Sequence, residues 1–370
     1  MSKIEKIKQK TNDCISIKSS YILNEIFSFL NMKQKLKIMI YNKQLQEKLG
    51  FNIENYKKLS GKYKIGGKNG LGSEYILGTN KLIFEGEYLN GVRNGKGKEF
   101  QNFNYQIQFE GYNINHYIIF AGEYLNGVRN GKGKEYKFNG SLLFEGEYLN
   151  GVRNGKGKEY KFNGSLLFEG EYLNGVRNGK GKEYYDNGSL LFEGEYLNGE
   201  RNGKGKEYNN GNLIFDGQNL NGERNGKGKE YYDNCQIKFD GQYLNGKRNG
   251  KGKEYHDNGE LKFEGEYLNG ERNGKGKEYP YFKGELNFEG FYANGQIKFE
   301  GEYLNGKRNG KGKEYNFNGK LLFDGEYLNG KRNGKGKEYD TNGKLLFEGE
   351  YIYGKRKRRV ITYSFSYNNI

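Results

Sequence analysis

Gly122-Glu-Tyr-Leu-Asn-Gly-Val-Arg-Asn-Gly-Lys-Gly-Lys-Glu-Tyr136 is a fifteen-residue phrase that recurs, unchanged or with few substitutions, along most of the chain. Its copies begin at Gly86, Gly122, Gly146, Gly170, Gly194, Gly217, Gly241, Gly265, Gly301 and Gly325. A diverged first copy begins at Gly61 and a broken last one at Gly349. The usual step is 24 residues, and a period of that size identifies a repeat array. Arrays stack neighbour on neighbour and present long surfaces, which favours binding over catalysis.

Each copy reads as two β-strands. From Leu142 to Leu149, the residues Leu142, Phe144, Gly146 and Tyr148 share one face, and Leu143, Glu145, Glu147 and Leu149 share the other. That period-2 alternation with an aromatic side is the mark of a half-buried strand. The second piece, Lys156 to Tyr160, alternates Lys156, Lys158 and Tyr160 against Gly157 and Glu159. Asn150-Gly151, Asn154-Gly155 and Asn163-Gly164 supply residues that accept positive φ in tight turns. The predicted fold is therefore mostly β: an elongated single-layer antiparallel β-meander of 24-residue hairpin repeats. The predicted repeat-face aromatics are Phe144, Tyr148, Tyr160, Phe168 and Tyr172. Gly146 in mid-strand predicts that rings pack over it. A phosphate cradle is excluded, because Asn-Gly-Lys-Gly-Lys lacks the G-x-x-x-x-G-K-[ST] spacing and precedes no helix.

The phrase Tyr-x-Asn-Gly-x-Arg-x-Gly-x-Gly-x-x-x-Tyr, preceded by Phe-Glu-Gly-Glu-Tyr, resembles the MORN repeat (membrane occupation and recognition nexus). The pattern around Lys-Glu-Tyr-Tyr-Asp-Asn-Gly-x-Leu-x-Phe-Glu-Gly-Glu-Tyr resembles the MORN variant of bacterial antitoxin-like proteins. The resemblance covers roughly residues 61–354. Tyr stands where the family often has Trp, and Asn130 and Asn154 stand where it commonly has His. The resemblance implies an elongated β-ribbon, often self-associating, that serves as a scaffold near membranes or cytoskeleton. It also carries lipid binding as an implication of the family name.

Two steps break the period. Gly86 to Gly122 and Gly265 to Gly301 each span 36 residues, which places half-repeat insertions near 101–121 and 279–300. An added strand would reverse the direction of everything after it. The Arg-Asn-Gly loops of the middle repeats are then expected on the opposite edge from those at both ends. The alternative is a loop bulged out at each insertion.

The net charge of +16 has a location. Residues 1–60 carry +7 and Lys355 to Arg359 carry +5, leaving +4 for the whole array. Within a repeat, Glu145, Glu147 and Glu159 balance Arg153, Lys156 and Lys158, so cross-strand charge ladders on a solvated surface are expected. Nucleic acid needs clustered cations and is not an expected partner. Lys355, Arg356, Lys357, Arg358 and Arg359 are the candidate contacts for anionic lipid. The same cluster also reads as a nuclear import signal or as a charged guard on the sheet edge. Val360 to Tyr367 alternates and predicts a terminal strand.

Residues 1–60 differ in kind. Ile22, Leu23, Ile26, Phe27 and Leu30 fall at helical spacing, and Leu36, Met39, Ile40, Leu45 and Leu49 follow, which predicts short amphipathic helices between about Ser20 and Gly50. The stretch Ile22 to Leu30 with Leu36 to Leu49 resembles an F-box, without the leading Leu-Pro, and implies a partner-docking head. A helical cap for the first repeat is the other reading.

Catalysis finds no footing. His116 and His256 lie far apart, Cys14 and Cys235 are isolated, and the carboxylates recur in every repeat beside equal numbers of lysines. No catalytic, cofactor or metal site is expected. Met1 to Lys10 has no apolar core for a secretory leader, and no apolar run reaches the ~20 residues of a membrane helix. Together with two lone cysteines this predicts an intracellular, cytoplasmic protein, membrane- or cytoskeleton-associated in one reading. The functional expectation is a non-catalytic scaffold for protein partners, with self-association as a homodimer. A membrane-surface tether and a ubiquitin-ligase adaptor are the alternatives.

Overall fold

The computed structural model describes residues 20–31, 34–35, 38, 43–50, 61–79, 81–109, 112–281 and 296–357, with backbone alone over 103–109 and 112–115. The expected terminal strand, Arg358, Arg359, Leu36, Met39 and Ile40 lie outside the described residues.

Two helices precede the strands, α1 (Ser20–Ser28) and α2 (Lys43–Lys48). Leu23, Phe27 and Leu45 bury themselves against one another, and Leu30, Ile38 and Leu49 pack around them. Ile22 and Ile26 point outward and stay exposed.

The strands form two compact units, with the chain dividing inside β9 (Leu166–Leu173). The first unit holds β1 (Lys62–Gly66), β2 (Gly70–Ile76), β3 (Leu82–Leu89), β4 (Val92–Phe109), β5 (Tyr112–Leu125), β6 (Val128–Tyr136), β7 (Leu142–Leu149) and β8 (Val152–Tyr160). The second holds β10 (Val176–Tyr184), β11 (Leu190–Leu197), β12 (Glu200–Asn209), β13 (Asn212–Leu220), β14 (Glu223–Tyr231), β15 (Ile237–Leu244), β16 (Lys247–Tyr255), β17 (Leu261–Leu268) and β18 (Glu271–Glu278). It continues through β19 (Phe299–Leu304), β20 (Lys307–Tyr315), β21 (Leu321–Leu328), β22 (Lys331–Tyr339), β23 (Leu345–Ile352) and β24 (Lys355–Arg356). Within each unit every strand pairs antiparallel with its sequence neighbours, so each is an open meander of hairpin repeats.

Register follows from the turns. Asn150 and Gly151 both take positive φ, 51° and 90°, which is the two-residue hairpin turn whose twist matches the strands. It sets Leu149 opposite Val152 and Tyr148 opposite Arg153. A bulge then takes up the extra residues of β8, and Gly146 meets Gly157, with Glu145 opposite Lys158 and Phe144 opposite Glu159.

The insertions do not reverse the meander. The first lengthens one hairpin: β4 and β5 stay paired out to Phe109 and Tyr112, and no strand is added. The turn Asn126-Gly127 consequently stacks beside the preceding repeat on the same edge, with the Gly127 amide donating to the Arg93 carbonyl at 2.9 Å. Across the second insertion β18 pairs directly with β19, Glu278 opposite Phe299, and the Gly306 amide donates to the Arg272 carbonyl at 3.0 Å. The expectation of opposite-edge loops is thus overturned. An insertion that leaves and returns at one strand end preserves direction, whatever its length.

Candidate interaction surface

One face of each sheet is closed by its own side chains. Phe239 on β15 is fully buried, and its ring lies over the Gly241–Gly252 pair. A Cβ on Gly252 would meet the Phe239 ring at 2.3 Å, so both positions need glycine. Above the ring sits the Arg248 guanidinium, 4.2 Å from its centre. Tyr243 and Tyr267 close the sides edge-on, at 5.5 and 5.1 Å between ring centres. A single-layer sheet thereby buries a phenylalanine without a second layer.

The tyrosine hydroxyls and the arginines meet on a shared carboxylate. Glu230 Oε1 accepts from the Tyr243 hydroxyl at 2.8 Å, and Glu230 Oε2 accepts from Arg248 Nη2 at 2.6 Å. Burial pushes the Glu230 carboxyl up, but the Arg248 hydrogen bond and charge and the Tyr243 hydroxyl outweigh it and hold it below the usual range. Burial, and the Glu230 charge beside it, drive the Tyr243 phenol far above its ordinary value. The same constellation recurs as Tyr124, Glu99 and Arg129, and as Tyr148, Glu135 and Arg153. The expected solvated ladder does not include Arg153 and Glu159. They are four-fifths buried on the aromatic face, because the bulge puts Arg153 over the Phe144 ring.

Phe144, Tyr148 and Tyr172 lie on this closed face as expected, and Phe168 is boxed the same way by Arg177 and Tyr196. Tyr160 does not. It follows Lys156 and Lys158 onto the opposite face, where its hydroxyl donates to Glu145 Oε1 at 2.6 Å. Its counterpart Tyr208 hydrogen bonds Glu193, and burial with that carboxylate pushes its phenol up to about 12.

The opposite face is open. Rows of Lys and Glu stand on either side of the glycine column, whose backbone forms the floor between them. Lys253 and Glu264 pair across strands at 3.6 Å with both side chains about half exposed. Such pairs contribute little individually, ~0–1 kcal/mol. Glu147 acts locally on the backbone. Its Oε2 accepts the Lys156 amide at 2.9 Å and fills the bulge at Gly155. Gln218 and Gln242 accept the Lys227 and Lys251 amides in the same way, so the position needs a carbonyl-type oxygen rather than a charge.

The basic cluster is partly consumed by the fold. Arg356 takes the arginine place of a last repeat, 2.8 Å from Glu338, and Lys357 pairs with Glu350 at 2.6 Å. Lys355 lies exposed opposite Ile352. Asn219 is the residue that repeat reasoning passed over. It stands in the tyrosine place of its copy, is buried, and leaves its Nδ2 without a hydrogen-bond partner. The copies themselves carry that signal when set side by side, since Gly-Gln-Asn-Leu replaces Gly-Glu-Tyr-Leu there. Among the described residues no helix is long and apolar enough to cross a membrane.

The family model described as "MORN repeat" matches residues 84–104, 120–142, 144–166, 168–190, 192–213, 215–234, 263–280, 299–320 and 323–344. That described as "MORN repeat variant" matches residues 248–269 and 285–305. No curated protein matches the chain. Among solved structures, the "Crystal Structure of TarM" is similar at 9% identity and a TM-score of 0.18, covering 40% of this chain and 23% of that one. A likeness of that size carries no argument.

Proposed function

Because the chain belongs to the MORN repeat family, a repeat-scaffold kind of fold, we propose that it is a non-catalytic scaffold that holds a protein partner along its Lys/Glu face. One observation carries the reading. The aromatic face is covered by each repeat's own arginine and tyrosine, whereas the Lys/Glu face keeps its side chains half exposed over a glycine floor. A partner with alternating charges can pair with those rows at fixed spacing, and a bare backbone floor permits close approach.

Contact with anionic lipid through Lys355 to Arg359 is supported less, since Arg356 and Lys357 already pair with Glu338 and Glu350. A ligase-adaptor role rests on the helical head, in which only Ile22 and Ile26 of the five named residues are exposed.

A photo-crosslinking amino acid at Lys251 or Lys275, compared with Asp233 in a loop at the far strand ends, tests the reading in the native cell. Protein adducts at Lys251 and Lys275 but not at Asp233 are expected. Adducts confined to Asp233, or no protein adduct at the two lysines, would overturn it.

A further inference from the structure

One position varies along an otherwise uniform array. It is the residue that follows each Asn-Gly turn and opens the next strand. It is valine in the earlier copies, from Val92 to Val176, and then becomes Glu200, Glu223, Lys247, Glu271, Lys307 and Lys331. All six charged residues belong to the second unit and are exposed. Among the described residues none of the six forms an ion pair within the chain.

The six stand in a regular row. Each turn is tied to the preceding repeat by the same hydrogen bond, as from the Gly222 amide to the Arg201 carbonyl at 2.9 Å and from the Gly306 amide to the Arg272 carbonyl at 3.0 Å. The second insertion therefore leaves the spacing intact, at roughly 10 Å per two strands. Across each turn stands a leucine, from Leu197 opposite Glu200 to Leu328 opposite Lys331. These leucines are 42–50% exposed, so an apolar row runs beside the charged one.

The charge order is Glu-Glu-Lys-Glu-Lys-Lys. Read from the other end with every sign exchanged, it is the same. We propose that this edge is the contact surface for a second copy of the chain, laid antiparallel about a twofold axis between Lys247 and Glu271. The axis sets Glu271 against Lys247 of the second copy, Lys307 against its Glu223, and Lys331 against its Glu200, and the symmetry doubles each pair. Lys355 falls beside Val176, a neutral contact. A parallel alignment in register sets like charge on like throughout. An antiparallel shift by one repeat sets Glu271 or Lys247 against itself. The leucine row supplies the apolar area, and the charges select register and direction. The proposal concerns the turn edge and stands whether or not the Lys/Glu face holds a protein.

Sedimentation equilibrium on the purified full chain tests it, with circular dichroism to confirm that these exposed substitutions leave the fold intact. The chain is expected to dimerise, more weakly at high salt. Glu223→Lys is expected to raise the dissociation constant about tenfold or more, by placing lysine against Lys307 twice. The matched double Glu223→Lys with Lys307→Glu restores dimerisation, whereas the mismatched double Glu223→Lys with Lys331→Glu weakens it further. A chain that stays monomeric, a dimer indifferent to Glu223→Lys, or two doubles that behave alike would each overturn the proposal.

Discussion

Arg248 on β16 lies 4.2 Å above the Phe239 ring on β15 and donates to Glu230 on β14 at 2.6 Å, so one side chain fastens three consecutive strands. The guanidinium is the only cation that does both, since it is flat enough to stack and forked enough to reach a carboxylate.

Arg248→Lys is accordingly a disruptive change. A lysine keeps the charge but loses the stacked plane and the second donor, leaving Glu230 poorly paired on a half-dry face. A loss of about 1–3 kcal/mol is expected in denaturant unfolding. Lys253→Arg on the open face is the control and should fall within about 0.5 kcal/mol of the parent.

The strands, the two-residue turns and the aromatic face were legible, because period-2 alternation and Asn-Gly pairs report local backbone preferences. The arginine clamp was not. Arg153 and Glu159 look like their solvated neighbours Lys156 and Lys158, and only the bulge at Gly155 turns them onto the ring face. Tyr160 was misplaced for the same reason: parity counted from Tyr148 is broken by the extra residues of β8. The course of the insertions was illegible because length alone does not say whether a segment adds a strand or extends a hairpin. The head residues Ile22 and Ile26 share a periodicity with Leu23 and Phe27, and only packing separates the exposed pair from the buried one.

Asn219 interrupts the tyrosine column. Glu207 beside it keeps its ion pair with Arg224 at 2.6 Å but has no phenol to accept from, and Asn219 Nδ2 is left unpaired. Asn219→Tyr restores both the ring contact with Phe192 and the hydrogen bond to Glu207. A gain of about 1–2 kcal/mol is expected. An unchanged or lowered unfolding midpoint would show that the gap cannot take the ring.

Acid and base should each loosen the array, for opposite reasons. The carboxyls of Glu183, Glu230, Glu254 and Glu278 are pushed up by burial, but their arginines and tyrosines hold them below the ordinary 4.5. A depressed folded value means that the stabilisation is complete above 4.5 and is lost as pH falls through the lowered values. Tyr196, Tyr243 and Tyr267 are raised above 10 by burial and by those carboxylates. Their stabilisation is complete below 10 and is lost as pH climbs through the raised values. The thermal midpoint should therefore be flat between these limits and fall on both sides. A midpoint that stays level into strong acid would contradict the clamp.

Hydroxyl-radical oxidation of the purified chain, read on the tryptic peptide Phe239 to Lys247, tests the closed aromatic face most directly. That peptide is unique among the copies and holds Phe239 and Tyr243 on the closed face with Leu244 on the open one. Free in solution the two rings react faster than leucine. In the folded chain, Leu244 is expected to carry the oxidation while Phe239 and Tyr243 stay protected. Oxidation concentrated on Phe239 and Tyr243 would mean that the aromatic face lies open, and the assignment of the Lys/Glu face as the contact surface would fall with it.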